Sequence, residues 1–185
     1  MKVICALRSP SAPESPASVP IEITPDSAIV KDGRPVFLPQ IEGGWEFWIG
    51  VALRSSRLGK NVGARFAMRY VDAATLCLMP RPKEGYAPAD DLSHSFDGAA
   101  AIGRWLPLDA LAGEFSCRAM DRDVEVIATA EGQLGPMLER VTRYTTLKMG
   151  DLLLPARTRL DVDLRPGSVF TATLCGQPCL NFKLP

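Results

Sequence analysis

The sequence has no surplus of either charge and very little histidine. Lys and Arg together number 21, Asp and Glu also number 21, and His94 is the single histidine among 185 residues. Nucleic acids and anionic membranes are both recognised through clustered positive charge. The balanced composition therefore favours neither of them as a partner.

Long apolar runs are lacking as well, and we expect no secretory leader. The apolar start of the chain stops at Arg8, and no later run approaches the roughly 20 residues of a membrane-spanning helix. Five cysteines are an odd number for a disulfide framework. We therefore expect reduced thiols in a cytoplasmic protein.

Several common catalytic motifs do not occur. The chain has no Gly-x-Ser-x-Gly nucleophile elbow, and its glycines do not form a phosphate-binding loop. Cys175 and Cys179 flank a predicted turn, without the second ligand pair that a tetrahedral zinc site needs. Packing is therefore the expected role of these two thiols.

What the chain does contain is enough apolar residues, 46%, for the core of one domain over residues 1–185. Helical spacing predicts helices over residues 62–71 and 135–145, with Pro136 in the first turn of the second. Gly33 predicts a hairpin turn over residues 31–34. Short strands are predicted at residues 3–7, 21–23, 28–30, 36–38, 45–53, 73–79, 117–120, 124–127, 168–174 and 179–183. The expected fold class is mainly β with short helices, an α+β architecture.

Glu46 stands between Trp45 and Trp48 in one of these strands, and the motifs around it resemble the fumarylacetoacetate hydrolase family. The most specific matches are residues 95–100, Ser-Phe-Asp-Gly-Ala-Ala, and residues 144–151, Tyr-Thr-Thr-Leu-Lys-Met-Gly-Asp. Residues 24–28 and 57–61 match as well. The resemblance implies that family's mixed β-sandwich or β-roll, and a homodimer.

The resemblance also implies a metal site, at positions that have changed here. Members of the family hold Mg²⁺, Mn²⁺ or Ca²⁺ with a Glu-x-Glu pair and a later Asp, and the ion stabilises the enolate of a keto acid substrate. The corresponding positions are Glu46, Trp48 and Met79. An indole offers only a donor, and a thioether is a poor ligand for a hard cation. We therefore expect no metal cofactor.

The remaining working positions have changed too. The family's general-base histidine has no counterpart in residues 8–13, its lysine before Phe-Asp-Gly aligns with His94, and its carboxylate-holding turn reads Pro-Ala-Arg157-Thr. His94 and Glu46 are the catalytic candidates, and Arg157 and Trp48 are the substrate-binding candidates. His94 is either an acid–base group or an ordinary loop residue. Glu46 is either a general acid in an apolar pocket or a hydrogen-bonded carboxylate.

Two further alternatives concern the space around the lost metal position. Glu84, Asp90 and Asp91 either supply substitute ligands or are simply solvated. Four apolar side chains either line a small pocket over the metal position or fill it, namely those of Trp45, Phe47, Trp48 and Met79.

Taken together, these changes predict a catalytically degenerate relative of the family, a pseudoenzyme. Such a protein would bind a small keto acid, or act as a partner subunit in a hetero-oligomer with an active paralogue. The alternative is an active hydrolase, decarboxylase or isomerase that acts on a keto-enol acid through a rearranged site.

Overall fold

Two β-sheets and a few short helices make up the computed structural model, which describes residues 1–12, 19–31, 33–85, 92–111 and 113–185. The α-helices are α1 (Leu92–Ser95) and α2 (Ala130–Tyr144), and 3-10 helices lie at Asp26–Ala28, Ala64–Tyr70 and Leu108–Ala110. The strands are β1 (Lys2–Ala6), β2 (Ile21–Pro25), β3 (Ile29–Lys31), β4 (Trp45–Ser55), β5 (Val71–Pro82), β6 (Ala100–Ile102), β7 (Leu106–Pro107), β8 (Cys117–Ala119), β9 (Arg122–Val124), β10 (Leu152–Leu154), β11 (Thr158–Leu160), β12 (Val169–Leu174) and β13 (Gln177–Lys183). The mainly β fold class is confirmed.

The larger sheet has nine strands, and its centre is the long antiparallel pair of β4 and β5. Its strand order is β2-β1-β10-β4-β5-β6-β3, with β11 also paired to β4 and β7 to β5. The smaller sheet has the order β13-β12-β8-β9. Both β10 and β11 are antiparallel to β4 and follow it in nearly continuous register, so the chain runs beside β4 with an irregular segment at residues 155–157.

The side chains of β4 alternate between two apolar clusters, as the period of a strand requires. Phe47, Ile49, Val51 and Leu53 enter the main core, which α2 and the smaller sheet also line. Ala52, with Trp48 at the margin, enters a second cluster on the opposite face. That second cluster is built mainly from β1, β5 and β10, through Val3, Cys5, Cys77, Met79, Leu152 and Leu154.

Most strand predictions are confirmed, and the errors have local causes. Residues 36–38 form no strand, and the predicted hairpin at residues 31–34 is wrong because β3 pairs in parallel with β6. Asp32 of that turn lies outside the described residues. The strand predicted to stop before Pro80 continues to Pro82, beyond the Cys77–Leu78 segment that pairs with β6. A proline is tolerated there, since its missing N–H faces no paired strand.

The second helix is longer than predicted. It begins at Ala130, after Thr129 in an extended conformation, so that Pro136 lies in its interior and not in its first turn. The other predicted helix is confirmed as the 3-10 helix Ala64–Tyr70. Among the described residues, no helix is both long and apolar enough to cross a membrane.

Candidate functional site

The three positions that the resemblance assigns to a metal come together on one face of the β4–β5 pair. Glu46 and Trp48 are two residues apart on β4 and so point to the same side. Met79 is the direct cross-strand partner of Trp48. The Met79 side chain is fully buried in the second cluster, and the Trp48 ring packs against that cluster.

Glu46 is held by two neighbours on the same face. The Trp48 indole donates a hydrogen bond from Nε1 to Glu46 Oε1 at 2.8 Å. Arg159, the cross-strand partner of Trp48 on β11, places its Nε 3.3 Å from Glu46 Oε2. Both carboxylate oxygens are therefore engaged.

Arg157 lies over Trp48. Its Cζ atom is 4.4 Å from the centroid of the indole ring, which is a close cation–π contact. The Arg157 side chain is only 13% exposed, and its Nη1 is 3.8 Å from Glu22 Oε2. Within the described part of the chain, that buried Nη1 makes no hydrogen bond. Burial lowers the pKa of the Arg157 guanidinium, which nevertheless stays protonated at neutral pH.

A buried ion pair between Arg81 and Glu22 completes the site. Arg81 Nε donates to Glu22 Oε2 at 3.3 Å, and its Nη2 donates to Oε1. Arg81 Nη1 also donates to the carbonyl oxygens of Pro80, at 2.6 Å, and Ala99, at 2.7 Å. Glu22 thus makes close hydrogen bonds with Arg81 and a longer ionic contact with Arg157.

Sequence reasoning missed both members of this pair, although a weak signal was present. Arg81 follows Met79 by two residues on β5 and therefore shares its face. Glu22 interrupts an apolar strand between Ile21 and Ile23. Nothing in the local sequence, however, indicates that β2 and β5 bring these charges together.

The charge of the assembled site is positive. Among the described residues, the guanidinium groups of Arg81, Arg157 and Arg159 pair with two carboxylates, those of Glu22 and Glu46. Arg81, Arg157, Glu22 and Glu46 are all mostly buried, so solvent screens their interactions only weakly. An anion would meet a net attractive field here.

The nearby thiols are not nucleophiles at neutral pH. Burial raises the pKa of Cys5 to about 12, and the positive charge of Arg157 offsets this only in part. Burial also raises the pKa of Cys77. The thiolate is the reactive form, and both side chains stay protonated.

The donor set does not fit a hard divalent cation. Of the three assigned positions only Glu46 carries a ligand oxygen, and both of its oxygens are already engaged. No group of three His, Cys, Asp or Glu side chains in the described ranges could hold a metal ion. The guanidinium of Arg157 lies directly over the middle position, Trp48.

The remaining candidate residues lie on other elements. His94 lies in α1, with its Nδ1 3.4 Å from Ser93 Oγ, and α1 packs against β2 and β5. Glu84 is exposed in the turn after β5, while Asp90 and Asp91 lie outside the described residues.

The side chains of Trp45, Phe47, Trp48 and Met79 do not all lie around the lost metal position, so the predicted grouping is wrong. Phe47 points into the main core, and Trp45 packs against that core and against Phe96, with ring centroids 4.9 Å apart. Only Trp48 and Met79 share the face of Glu46, because alternate residues of a strand point to opposite sides.

Comparison with known proteins gives structural likeness without sequence matches. No protein-family model and no curated protein sequence matches the chain. Three solved structures superpose over nearly all of it. The first is described as a fumarylacetoacetate hydrolase family protein from Yersinia pestis CO92 (18% identity, TM-score 0.79, 100% of this chain and 92% of that one). The second is 5-carboxymethyl-2-hydroxymuconate delta-isomerase from Mycobacterium smegmatis (19% identity, TM-score 0.80, 99% of this chain and 78% of that one).

The third is fumarylpyruvate hydrolase from Pseudomonas aeruginosa in complex with Mn²⁺ and pyruvate (16% identity, TM-score 0.73, 100% of this chain and 90% of that one). Likeness at such low identity establishes architecture and leaves chemistry to the residues of the site. The chain has the fold of the fumarylacetoacetate hydrolase family structures.

Proposed function

We propose that the protein is a member of the fumarylacetoacetate hydrolase family that does not use metal-dependent catalysis and instead binds a small carboxylate through Arg157. The carrying observation is the position of the Arg157 guanidinium, 4.4 Å from the Trp48 ring centroid. In the resemblance, Trp48 stands where the second metal-binding carboxylate belongs. A permanent cation of the chain thus lies beside the place where the family's metal would bind.

The electrostatics support an anionic ligand. A guanidinium repels a divalent cation and attracts a carboxylate, which it can bind through two parallel hydrogen bonds. Arg157 Nη1 is buried and makes no hydrogen bond to any described residue, whereas Arg81 makes the close contacts with Glu22. A bound carboxylate would supply the missing acceptor. The Trp48 ring holds the guanidinium beside the site through the cation–π contact.

The ligand class follows from the site and from the structural neighbours. The neighbour from Pseudomonas aeruginosa binds pyruvate, a 2-keto acid, together with Mn²⁺. We propose that a 2-keto acid of this kind is bound here through its carboxylate alone. Glu46 acts as a positioning residue, since its contacts with Trp48 and Arg159 hold both side chains at the site.

The binding test uses purified protein in the presence of EDTA, with isothermal titration calorimetry of pyruvate and of larger 2-keto acids. Binding without any divalent ion is expected, together with at least a tenfold loss of affinity in Arg157→Met, since a charged hydrogen bond contributes about 1.5–3 kcal/mol. Arg118→Met, which removes an exposed guanidinium from the smaller sheet, is the matched control. Stoichiometric Mg²⁺ or Mn²⁺ in the purified protein, with binding abolished by EDTA, would overturn the proposal.

A further inference from the structure

Residues 56–61 and residues 143–150 form two neighbouring loops that take no part in the carboxylate site. We call the surface of these two loops the basic-apolar surface. Gly59 and Leu147 join the loops by paired backbone hydrogen bonds of 2.9 and 2.8 Å. Lys60 Nζ adds a bond of 3.1 Å to the carbonyl oxygen of Arg143. Both loops belong to motifs that stand out in the sequence, yet no side chain of theirs reaches the Glu46 face by any contact described above.

The surface is fixed in place from beneath. Leu147 is fully buried. A Cβ atom at Gly59 would lie 2.8 Å from the Tyr70 ring and 2.9 Å from Val62 Cγ2, so the loop backbone is packed tightly against its support. Its exposed side chains are therefore presented by a well-anchored backbone. A pre-organised surface loses less entropy on binding than a mobile one.

Three large apolar side chains are exposed on it. Leu58 is 70% exposed, Tyr144 84% and Met149 71%. Single exposed apolar residues are ordinary on protein surfaces, but three within two joined loops favour an interaction site. Tyrosine and methionine are also among the residues enriched in protein–protein interfaces.

All formal charges within these two loops are positive. Arg57, Lys60, Arg143 and Lys148 are exposed, and neither loop contains Asp or Glu. Arg143 pairs with Glu139 of α2 at 2.6 Å. Arg57, Lys60 and Lys148 have no carboxylate within the two loops. The whole chain is neutral, so this positive charge is a local feature.

We propose that the basic-apolar surface docks a protein partner whose contact surface is acidic and apolar. A second copy of this chain is disfavoured, because an isologous contact would set the same cations against one another. A nucleic acid or an anionic membrane would use the cations but gain little specificity from three separate apolar side chains. The loops hold four basic residues, at the lower limit of the four to eight typical of polybasic lipid-binding clusters. The partner subunit expected from the sequence thus has a defined place to bind.

The test uses an acidic peptide rich in Glu, Leu and Phe, titrated into isotopically labelled full-length protein and followed by NMR. Binding is expected to shift the backbone resonances of residues 56–61 and 143–150. The affinity should fall at least about tenfold in Tyr144→Ala and in Arg57→Glu/Lys148→Glu, as for central contacts and opposed charges in other interfaces. Arg122→Glu, a charge reversal on the smaller sheet, is the control and should change nothing.

Companion titrations separate the alternatives. Polyglutamate, a DNA duplex and vesicles containing phosphatidylserine present negative charge without a complementary apolar protein surface. If any of them binds as tightly as the peptide, or if the peptide shifts other residues or none, the proposal is wrong. The keto acid titration is independent of these experiments, so a failure here leaves the carboxylate site unaffected.

Discussion

Restoring carboxylates to the metal positions should create a Mn²⁺ site only when Arg157 is also removed. The test compares Trp48→Glu/Met79→Asp with the triple variant that adds Arg157→Met. Both variants carry three carboxylates, including that of Glu46, on the face where the structure brings these positions together. They differ only in the guanidinium that lies over position 48.

The size of the effect follows from the distance. A divalent ion near the Trp48 ring would lie about 4.4 Å from Arg157 Cζ. At that separation the repulsion is about 7 kcal/mol with an effective dielectric constant of about 20, and about 2 kcal/mol with full aqueous screening. Arg157 is 13% exposed, so the true value lies between these limits. Even the lower limit weakens binding about 30-fold.

The assay is the loss of free Mn²⁺ signal in electron paramagnetic resonance on titration with each protein. The triple variant should bind Mn²⁺ at least about 30-fold more tightly than the double variant. Adding Arg118→Met to the double variant in place of Arg157→Met removes a distant guanidinium and should not rescue binding. Circular dichroism verifies that each variant is folded. Trp48→Glu/Arg157→Met, which leaves the buried Met79 intact, repeats the comparison if Asp is not tolerated there.

Equal Mn²⁺ affinity in the double and triple variants would refute this reasoning. It would mean that the guanidinium moves away from the restored carboxylates at no measurable cost. The absence of the metal would then depend on the lost ligands alone.

Three other perturbations test the packing and charges around the site. Glu22→Gln leaves Arg81 buried without its counter-ion and should lower the free energy of urea unfolding by roughly 3–5 kcal/mol, while an unchanged value would show that solvent reaches the pair. Gly50→Ala places a Cβ 2.4 Å from the Ala156 carbonyl oxygen and should cost roughly 1–3 kcal/mol in the same assay, unless the segment between β10 and β11 can shift freely. The pKa of Cys5 is raised to about 12, so the folded state keeps a proton that the unfolded state loses above about pH 9, and stability should fall from pH 9 towards 12. Cys5→Ala should flatten that decline, and an identical slope in both proteins would contradict it.

The sequence predicts the central strands and the shared face of the site because these depend on local pattern. Alternating apolar residues define β4, and spacing of two residues puts Glu46 and Trp48 together. The resemblance adds Met79, and the pairing of β4 with β5 confirms its place opposite Trp48. The same alternation places Phe47 and Trp48 on opposite faces of β4, which the predicted grouping of these two side chains did not take into account.

What the sequence could not predict are contacts between distant strands. Glu22 and Arg81 are 59 residues apart, and their ion pair joins β2 to the end of β5, strands that are not neighbours in the sheet. Arg157 reaches Trp48 because it ends the irregular segment between β10 and β11, both of which run antiparallel along β4. No local propensity encodes these approaches, since they follow from the complete strand order.

The strand β11 and the residue before it bring two guanidiniums to the face that carried only one of the three expected carboxylates. Arg159 is the cross-strand partner of Trp48 and pairs with Glu46, and Arg157, two residues earlier, covers the indole ring. A glutamate at position 48 would therefore meet two positive charges before any metal arrived. It would form ion pairs with them. A guanidinium held within a few ångströms by the chain binds the carboxylate at any metal concentration, whereas a metal ion must come from solution. The change at Trp48 and the guanidinium of Arg157 are thus one coupled arrangement, and a glutamate restored at position 48 while Arg157 remains would not return a metal ligand.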